Sequence, residues 1–100
     1  MNRHGISIPQ EKLVEFCRKN RIRKLSLFGS VLRQDFDAGS DVDVLVEFEP
    51  GTRIGLRFFA LERELSELLG RKVDLNTAGF LSDYFRDQVV AEAEDLYVSP

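Results

Sequence analysis

Apolar and polar residues alternate or cluster in four segments of this chain that predict β-strands. From Asp41 to Phe48 every second residue is apolar, which is the spacing of a strand with one buried face. Ile22–Phe28 is short, rich in apolar residues and followed by a glycine, which predicts a buried strand. Lys72–Asn76 predicts a shorter strand in which Asp74 faces away from its two apolar neighbours, and Leu96–Val98 predicts a terminal edge strand.

Three further segments carry apolar residues at the spacing of three and four that is typical of amphipathic helices. These residues are Leu13, Phe16 and Cys17; Ile54, Phe58, Leu61, Leu65 and Leu68; and Leu81, Phe85 and Val89. Ser7 has a glutamine three residues after it and predicts the cap of the first helix, which should end near Asn20. Gly70 should end the second helix, and residues 31–34 predict a short helical turn before a loop over residues 37–40.

The elements therefore follow the order helix, strand, short helix, strand, helix, strand, helix and terminal strand. No linker, low-complexity run or internal repeat divides the 100 residues, so we expect one domain that spans residues 1–100. Strands and helices mixed in this way predict an α+β fold, a small mixed β-sheet with flanking helices.

The composition narrows the class of protein. Apolar residues make up 43% and charged residues 31%, which is the balance of a soluble globular protein, and no apolar run approaches the roughly 20 residues that cross a bilayer. We therefore expect no membrane partner. Cys17 is the only cysteine and is expected in the core; since no intrachain disulfide can form, we expect a cytoplasmic protein.

The net charge of −3 divides into +6 over residues 1–34 and −9 over residues 35–100. Because the chain as a whole carries a net negative charge, we expect no direct nucleic-acid binding. The basic run from Arg18 to Lys24 is either a solvated helix end or a patch for an anionic partner. His4 lies near the N-terminus, where we expect a frayed end, and is assigned no role.

Gly29 and Ser30 stand where the first long strand ends, and they predict a phosphate site. Gly29 lets the backbone approach a phosphate without an intervening Cβ. The Ser30 hydroxyl and the amides of the following turn can donate hydrogen bonds to phosphate oxygens. Arg33 is either a further phosphate contact or a surface charge.

Asp41 and Asp43 begin the next predicted strand, and ten residues separate Asp41 from Ser30. Residues two apart in a strand share a face at roughly 7 Å, so the two carboxylates can bind one hard cation together or two side by side. Asp74 would join them if its strand pairs next to theirs. Paired acids alone can be solvated surface charges, but their combination with the Gly29–Ser30 corner favours a metal site.

This arrangement resembles the signature of the nucleotidyltransferase superfamily that includes DNA polymerase β. That signature is a Gly-Ser corner, about ten residues, Asp-x-Asp at a strand start, and a third aspartate on a later strand. The length is similar to that of the minimal nucleotidyltransferases, the MntA-like antitoxins encoded beside HEPN-domain proteins. The resemblance implies the polymerase β-like nucleotidyltransferase fold. Gln34 departs from the family's pattern, which commonly has glycine at that position.

The resemblance also implies roles for individual residues. Asp41, Asp43 and Asp74 would be the catalytic residues and the ligands of two Mg²⁺ ions, with Asp74 as the base for the acceptor hydroxyl. Binding of the triphosphate would fall to Gly29, Ser30 and Arg33.

The implied reaction transfers AMP from ATP to a tyrosine of a partner HEPN ribonuclease toxin, so that the protein acts as its antitoxin within a hetero-oligomer. One alternative is a non-catalytic antitoxin that binds nucleotide and neutralises its partner by complex formation. Another is transfer to a small molecule such as an aminoglycoside or to RNA; it is disfavoured because those enzymes usually carry an added acceptor domain. Tyr84 and Tyr97 are expected to pack at edges, and Tyr97 is also a candidate for self-modification.

Overall fold

The computed structural model of the protein describes residues 2–33, 36–37 and 39–100. Its elements are β1 (Asn2–Arg3), β2 (Ile6–Ser7), α1 (Gln10–Lys19), β3 (Ile22–Phe28), β4 (Val42–Phe48), α2 (Arg57–Leu69), β5 (Val73–Asn76), α3 (Asp83–Glu92) and β6 (Glu94–Val98). Two short 3-10 turns, Gly29–Leu32 and Ala78–Phe80, follow β3 and β5. The helical turn predicted over residues 31–34 therefore begins earlier. Gln34, and Ala38 of the predicted loop, lie outside the described residues.

The four longer strands form one mixed sheet in the order β5-β4-β3-β6. β3 pairs antiparallel with β4 and with β6, whereas β4 and β5 run parallel. The predicted α+β fold with a small mixed sheet is confirmed, and β5 does pair next to β4. The terminal strand also forms, beginning at Glu94, two residues before the predicted segment.

One face of the sheet packs against α1 and α2 and forms the hydrophobic core. Val42, Val44 and Val46 of β4 are at most 2% exposed, as the alternating pattern predicts. They share one core with buried residues of the two helices, which are Leu13, Phe16, Cys17, Leu61, Leu65 and Leu69. Gly70 ends α2 in the left-handed conformation with φ +67°, as predicted.

The opposite face of the sheet carries polar residues and positions the candidate site. Asp43 and Leu45 lie on this face because they alternate with the buried valines of β4. Asp74 is exposed between two buried residues of β5. Val90 and Ala93, at the end of α3, line a cavity of about 320 Å³ beside this face together with Leu45.

The N-terminal residues form a β-hairpin instead of the expected frayed end. β1 and β2 pair across a turn at His4 and Gly5, whose φ angles are +54° and +81°. His4 Nε2 lies 2.7 Å from Oε2 of Glu94, and the Arg3 guanidinium forms an ion pair with the same carboxylate. Positive φ at both turn residues is the geometry of a tight two-residue hairpin, a signal that the glycine at position 5 offers in the sequence.

The predicted Ser7 cap is wrong. Ser7 belongs to β2, and Pro9 precedes α1 without a side-chain cap. Ser7 pairs with Asn2 in the hairpin, so the local capping motif does not form. No helix of the described residues is long and apolar enough to cross a membrane.

Candidate active site

The corner after β3 brings the backbone at Gly29 against the side chain of Asp43. Gly29 has φ +74°, a conformation that residues with a Cβ rarely adopt. A Cβ built at Gly29 would lie 2.4 Å from Oδ2 of Asp43, well inside contact distance. Glycine is therefore required here both by the turn and by the space that Asp43 occupies.

Asp43 is the centre of the site. It lies opposite Phe28 in the antiparallel pairing with β3 and opposite Asp74 in the parallel pairing with β5. The backbone N–H of Ser30 donates a hydrogen bond to its carboxylate. Sequence reasoning assigned the amides of this turn to a phosphate, whereas the Ser30 amide holds Asp43.

The pKa of the Asp43 carboxyl is raised above its ordinary value. Partial burial is the largest cause, and the negative charges of Asp74 and Asp41 add to it. The Ser30 hydrogen bond and the positive charge of Arg33 act in the opposite direction. A bound cation would relieve the same repulsion that raises this pKa.

Asp41 and Asp74 flank Asp43 and are both exposed. Asp41 immediately precedes β4, and its Oδ2 lies 3.9 Å from Nζ of Lys72, the residue before β5. Lys72 is a positive charge beside the site that sequence reasoning missed. Its position two residues before Asp74 is the only signal that the sequence offers.

Two side chains of α2 hold the strand that carries Asp74. The backbone N–H of Val73 donates to Oγ of Ser66 at 3.0 Å, and the N–H of Leu75 donates to the Glu62 carboxylate at 2.8 Å. The two amides thus point to α2 and away from β4, because successive backbone N–H groups of a strand point to opposite sides. Asp74 is thus fixed between two anchored neighbours. Glu62 is not among the apolar residues that predict this helix, and the sequence gives no signal for its contact with Leu75.

Arg33 ends the 3-10 turn that follows Gly29, and its N–H donates to the carbonyl of Ser30 at 2.9 Å. Its side chain is exposed, and its charge acts on Asp43. The structure therefore brings all six predicted residues, Gly29, Ser30, Arg33, Asp41, Asp43 and Asp74, to one end of the open sheet face.

The acids fit the chemistry of a magnesium site. Carboxylate oxygens are the ligands that Mg²⁺ prefers, and the negative charges of two neighbouring carboxylates already repel that of Asp43. Over the ranges that the structure describes, no three histidine, cysteine or acidic side chains are already gathered as a cation site.

Comparison with protein families gives one match over most of the chain. The family model described as the nucleotidyltransferase domain matches residues 10–96. The Methanocaldococcus jannaschii protein MJ0435, which is assigned to the protein adenylyltransferases, is 33% identical over 87% of this chain and 92% of its own length. The protein adenylyltransferase MntA of Thermococcus cleftensis is 44% identical over 54 residues, which is 54% of each chain.

Solved structures show the same fold. A structure described as a minimal nucleotidyltransferase superimposes with a TM-score of 0.68 at 31% identity and covers 89% of this chain and 88% of its own. A toxin–antitoxin structure with AMP-PNP gives a TM-score of 0.71 at 24% identity, over 92% of this chain and 75% of its own, which supports the fold alone. A complex of tri-AMPylated Shewanella oneidensis HEPN toxin with MNT antitoxin gives 0.62 at 25% identity, over 90% and 70% of the two chains.

Proposed function

This chain belongs to the nucleotidyltransferase domain family, and we propose that it transfers AMP from ATP to a tyrosine of a partner HEPN-domain toxin and so acts as the antitoxin of that toxin. The observation that carries the proposal is the register of Asp43 against Asp74, with Gly29 packed on Asp43. Two carboxylates on neighbouring strands beside a glycine corner suit transfer of a nucleotidyl group, because the corner can hold the triphosphate where the acids act.

The roles follow from position. Gly29, Ser30 and Arg33 bind the triphosphate: the absence of a Cβ at Gly29 lets the turn lie directly against the Asp43 carboxylate, and the exposed Arg33 guanidinium supplies positive charge. Asp74 is exposed on the open face, where an acceptor hydroxyl can reach it, so it takes the proton of that hydroxyl.

The transfer step is an in-line displacement at the α-phosphorus. The tyrosine oxygen forms a bond to the α-phosphorus of ATP, and the bond from that phosphorus to the bridging oxygen of the β-phosphate breaks. Pyrophosphate leaves with the electron pair, and the tyrosine proton passes to Asp74. The product is a tyrosyl-AMP ester on the partner.

Two Mg²⁺ ions held by Asp41, Asp43 and Asp74 would supply charge that activates the acceptor oxygen and neutralises the leaving pyrophosphate. The chain's own contribution is the placement of the ligands. The Ser30 amide orients Asp43, and Glu62 and Ser66 anchor the strand of Asp74.

Two findings support a HEPN protein as acceptor and partner. The solved structures with the same fold include a toxin–antitoxin with AMP-PNP and an MNT antitoxin with an AMPylated HEPN toxin. In addition, α3 and the turn before it expose large apolar side chains, with Phe80 67% and Tyr84 91% exposed, as a chain that works in a hetero-oligomer would. We also propose a cytoplasmic location, where ATP is available and the buried Cys17 thiol stays reduced.

The test combines the protein, ATP and MgCl₂ with the HEPN-domain protein that a neighbouring reading frame encodes. Mass spectrometry then measures the intact mass of both chains. We expect the partner to gain AMP, and the Asp43→Asn and Asp74→Asn variants to add none. Asp87→Asn is the matched control, because it removes an exposed acid of α3 outside the site and should match the wild type. A folded wild-type protein that adds no AMP to the partner would overturn the proposal.

A non-catalytic antitoxin is the second candidate, and the exposed apolar side chains of Phe80 and Tyr84 favour it as well. The Asp41→Ala, Asp43→Ala double variant separates the two. Neutralisation of the toxin by this variant at stoichiometric amounts would favour occlusion. Loss of neutralisation while the complex still forms would favour catalysis.

A further inference from the structure

A second cavity, of about 180 Å³, lies between α3 and the glycine corner. Phe28, Gly29 and Arg33 form one wall. The other wall is one face of α3, whose residues recur at the spacing of three and four: Phe85, Gln88, Val89 and Glu92. The cavity thus begins at the proposed triphosphate residues and continues along a face of α3 to which the proposed function assigns no part in nucleotide binding.

The lining of this cavity suits a flat heteroaromatic ring better than a phosphate. The Phe85 ring is 50% exposed and stands against its neighbour Tyr84 in an edge-to-face contact with 5.7 Å between centroids. A half-exposed ring on a cavity wall offers a face on which a base can stack. Val89 adds a further apolar surface.

Polar groups at the other end of the face point to the same ligand. Gln88 Nε2 lies 3.3 Å from Oε1 of Glu92, so an amide and a carboxylate stand side by side one helical turn apart. The Glu92 carboxylate would repel a phosphate tail. It would accept a hydrogen bond from an exocyclic amino group, and the Gln88 amide can both donate and accept.

We propose that this cavity binds the adenine base of ATP, with Phe85 as the stacking surface and Gln88 and Glu92 as the residues that read the base edge. The inference rests on the proposed function, since it places the base next to the triphosphate at Gly29 and Arg33. The larger cavity of about 320 Å³ is a poorer choice, because its described lining includes none of the six site residues.

The hydrogen-bonding groups of Gln88 and Glu92 favour adenine over guanine. Adenine carries an amino group beside a ring nitrogen, so Glu92 can accept from the amino group while the Gln88 amide donates to the ring nitrogen. Guanine presents a carbonyl oxygen where adenine has the amino group, and that oxygen would face the Glu92 carboxylate without a proton between them.

The test measures binding of ATP, GTP and inorganic tripolyphosphate to the full chain in MgCl₂ by titration calorimetry. Phe85→Ala should weaken ATP binding by roughly 5-fold or more, because a stacking ring is removed, and should leave tripolyphosphate binding unchanged. Phe59→Ala is the matched control, since Phe59 is 63% exposed on α2 and does not line the cavity. Phe85→Leu keeps apolar volume but not the ring, and it should lose affinity for ATP as well. It serves as the test variant if Phe85→Ala is poorly folded.

The outcomes separate this inference from the proposed function. Wild-type binding of both ATP and tripolyphosphate, with a loss confined to ATP in the Phe85 variants, supports the base cavity. ATP affinity unchanged in both Phe85 variants, or an equal loss for tripolyphosphate, overturns it while AMP transfer can still be observed. A wild-type chain that binds neither compound and transfers no AMP overturns the proposed function too.

Discussion

The carboxylate of Glu62 on α2 accepts a hydrogen bond from the backbone N–H of Leu75 at 2.8 Å. This contact joins the helix that covers the core to the strand that carries Asp74. The position of Asp74 on the open face of the sheet therefore depends on the side chain of Glu62, which contacts β5 from α2.

Replacing Glu62 tests this dependence. Glu62→Ala leaves the Leu75 amide without its acceptor and should lower the free energy of unfolding by about 1 kcal/mol. It should also lower kcat for AMP transfer several-fold while the KM for ATP changes little, because Asp74 is displaced and the triphosphate site is not. Glu62→Gln keeps an acceptor oxygen and should recover most of both losses.

The control is Glu67→Ala, which removes an exposed acid of the same helix. Urea unfolding and steady-state transfer assays give the two quantities. A Glu62→Gln variant as impaired as Glu62→Ala would show that the charge of Glu62, and not its hydrogen bond to Leu75, is what matters.

Replacing Gly29 should harm both folding and activity. In Gly29→Ala the added Cβ meets the Asp43 carboxylate at 2.4 Å and occupies a left-handed backbone position. We expect a loss of about 2–3 kcal/mol in the free energy of unfolding, from backbone strain and the displaced carboxylate together.

Gly51→Ala isolates the first of those causes. Gly51 has φ +81°, and apart from its two chain neighbours no described residue has an atom within 4 Å of the point that a Cβ would occupy there. Its substitution should therefore cost about 1–2 kcal/mol from backbone strain alone. Thermal unfolding of both variants, with transfer assays, measures the difference. Equal losses at the two glycines would contradict the close contact between Gly29 and Asp43.

Asp43→Asn should stabilise the ligand-free protein although it abolishes transfer. Because the folded Asp43 has a raised pKa, the folded state binds its proton more tightly than the unfolded state. Stability is therefore lost as pH rises from the ordinary pKa of 3.8 through the raised folded value, and the cost persists at neutral pH. Asparagine removes the charge and keeps an acceptor for the Ser30 amide.

The expected gain is on the order of 0.5 kcal/mol at neutral pH, which shifts the Tm upward by a few degrees. Thermal melts without divalent cation measure it. Adding MgCl₂ should raise the Tm of the wild type and leave Asp43→Asn nearly unchanged. If Asp43→Asn has a lower Tm than the wild type without Mg²⁺, burial and repulsion by Asp74 and Asp41 do not destabilise the ionised Asp43 carboxylate.

The N-terminal hairpin should contribute stability that depends on pH. The hydrogen bonds from His4 and Arg3 hold the pKa of the Glu94 carboxyl below its ordinary value of 4.5. The ionised carboxylate therefore contributes stability that is fully present above pH 4.5 and is lost as pH falls through the lowered pKa. Glu94 is partly exposed, so the contribution is small, about 0.5 kcal/mol.

Comparing the wild type with Glu94→Gln by urea unfolding checks this contribution. The wild type should be the more stable of the two at about pH 6, and the difference should shrink toward about pH 3. A difference that stays constant across this range would assign the effect to packing and not to the charge of Glu94.

The sequence predicted the sheet and the acid positions well because both depend on short-range alternation. Asp74 faces away from Val73 and Leu75 whatever the rest of the chain does, and Asp41 and Asp43 share a face by the same geometry. The sheet is mixed because β5 pairs parallel with β4 while the other pairs are antiparallel. Gly29 was identified because its missing Cβ would let the backbone approach a phosphate, whereas the structure shows the Asp43 carboxylate in the space that a Cβ would fill.

Partners that are distant in sequence could not be predicted in the same way. The Ser30 amide donates to Asp43, and Lys72 lies near Asp41, only because β3, β4 and β5 are neighbours. The contact between Glu94 and the hairpin joins residues about ninety positions apart. The α3 face beside Gly29 carries an apolar pattern that indicates a helix but does not indicate what the helix lies against.

The anchoring of β5 also affects how the protein can associate with others. An outer strand normally presents free backbone amides onto which another chain can add a strand, which is a common route to aggregation. On β5 the outward amides of Val73 and Leu75 are already occupied by Ser66 and Glu62. Strand addition at this border of the sheet is therefore blocked, and under the proposed function an acceptor protein would reach Asp74 through side chains over the sheet face.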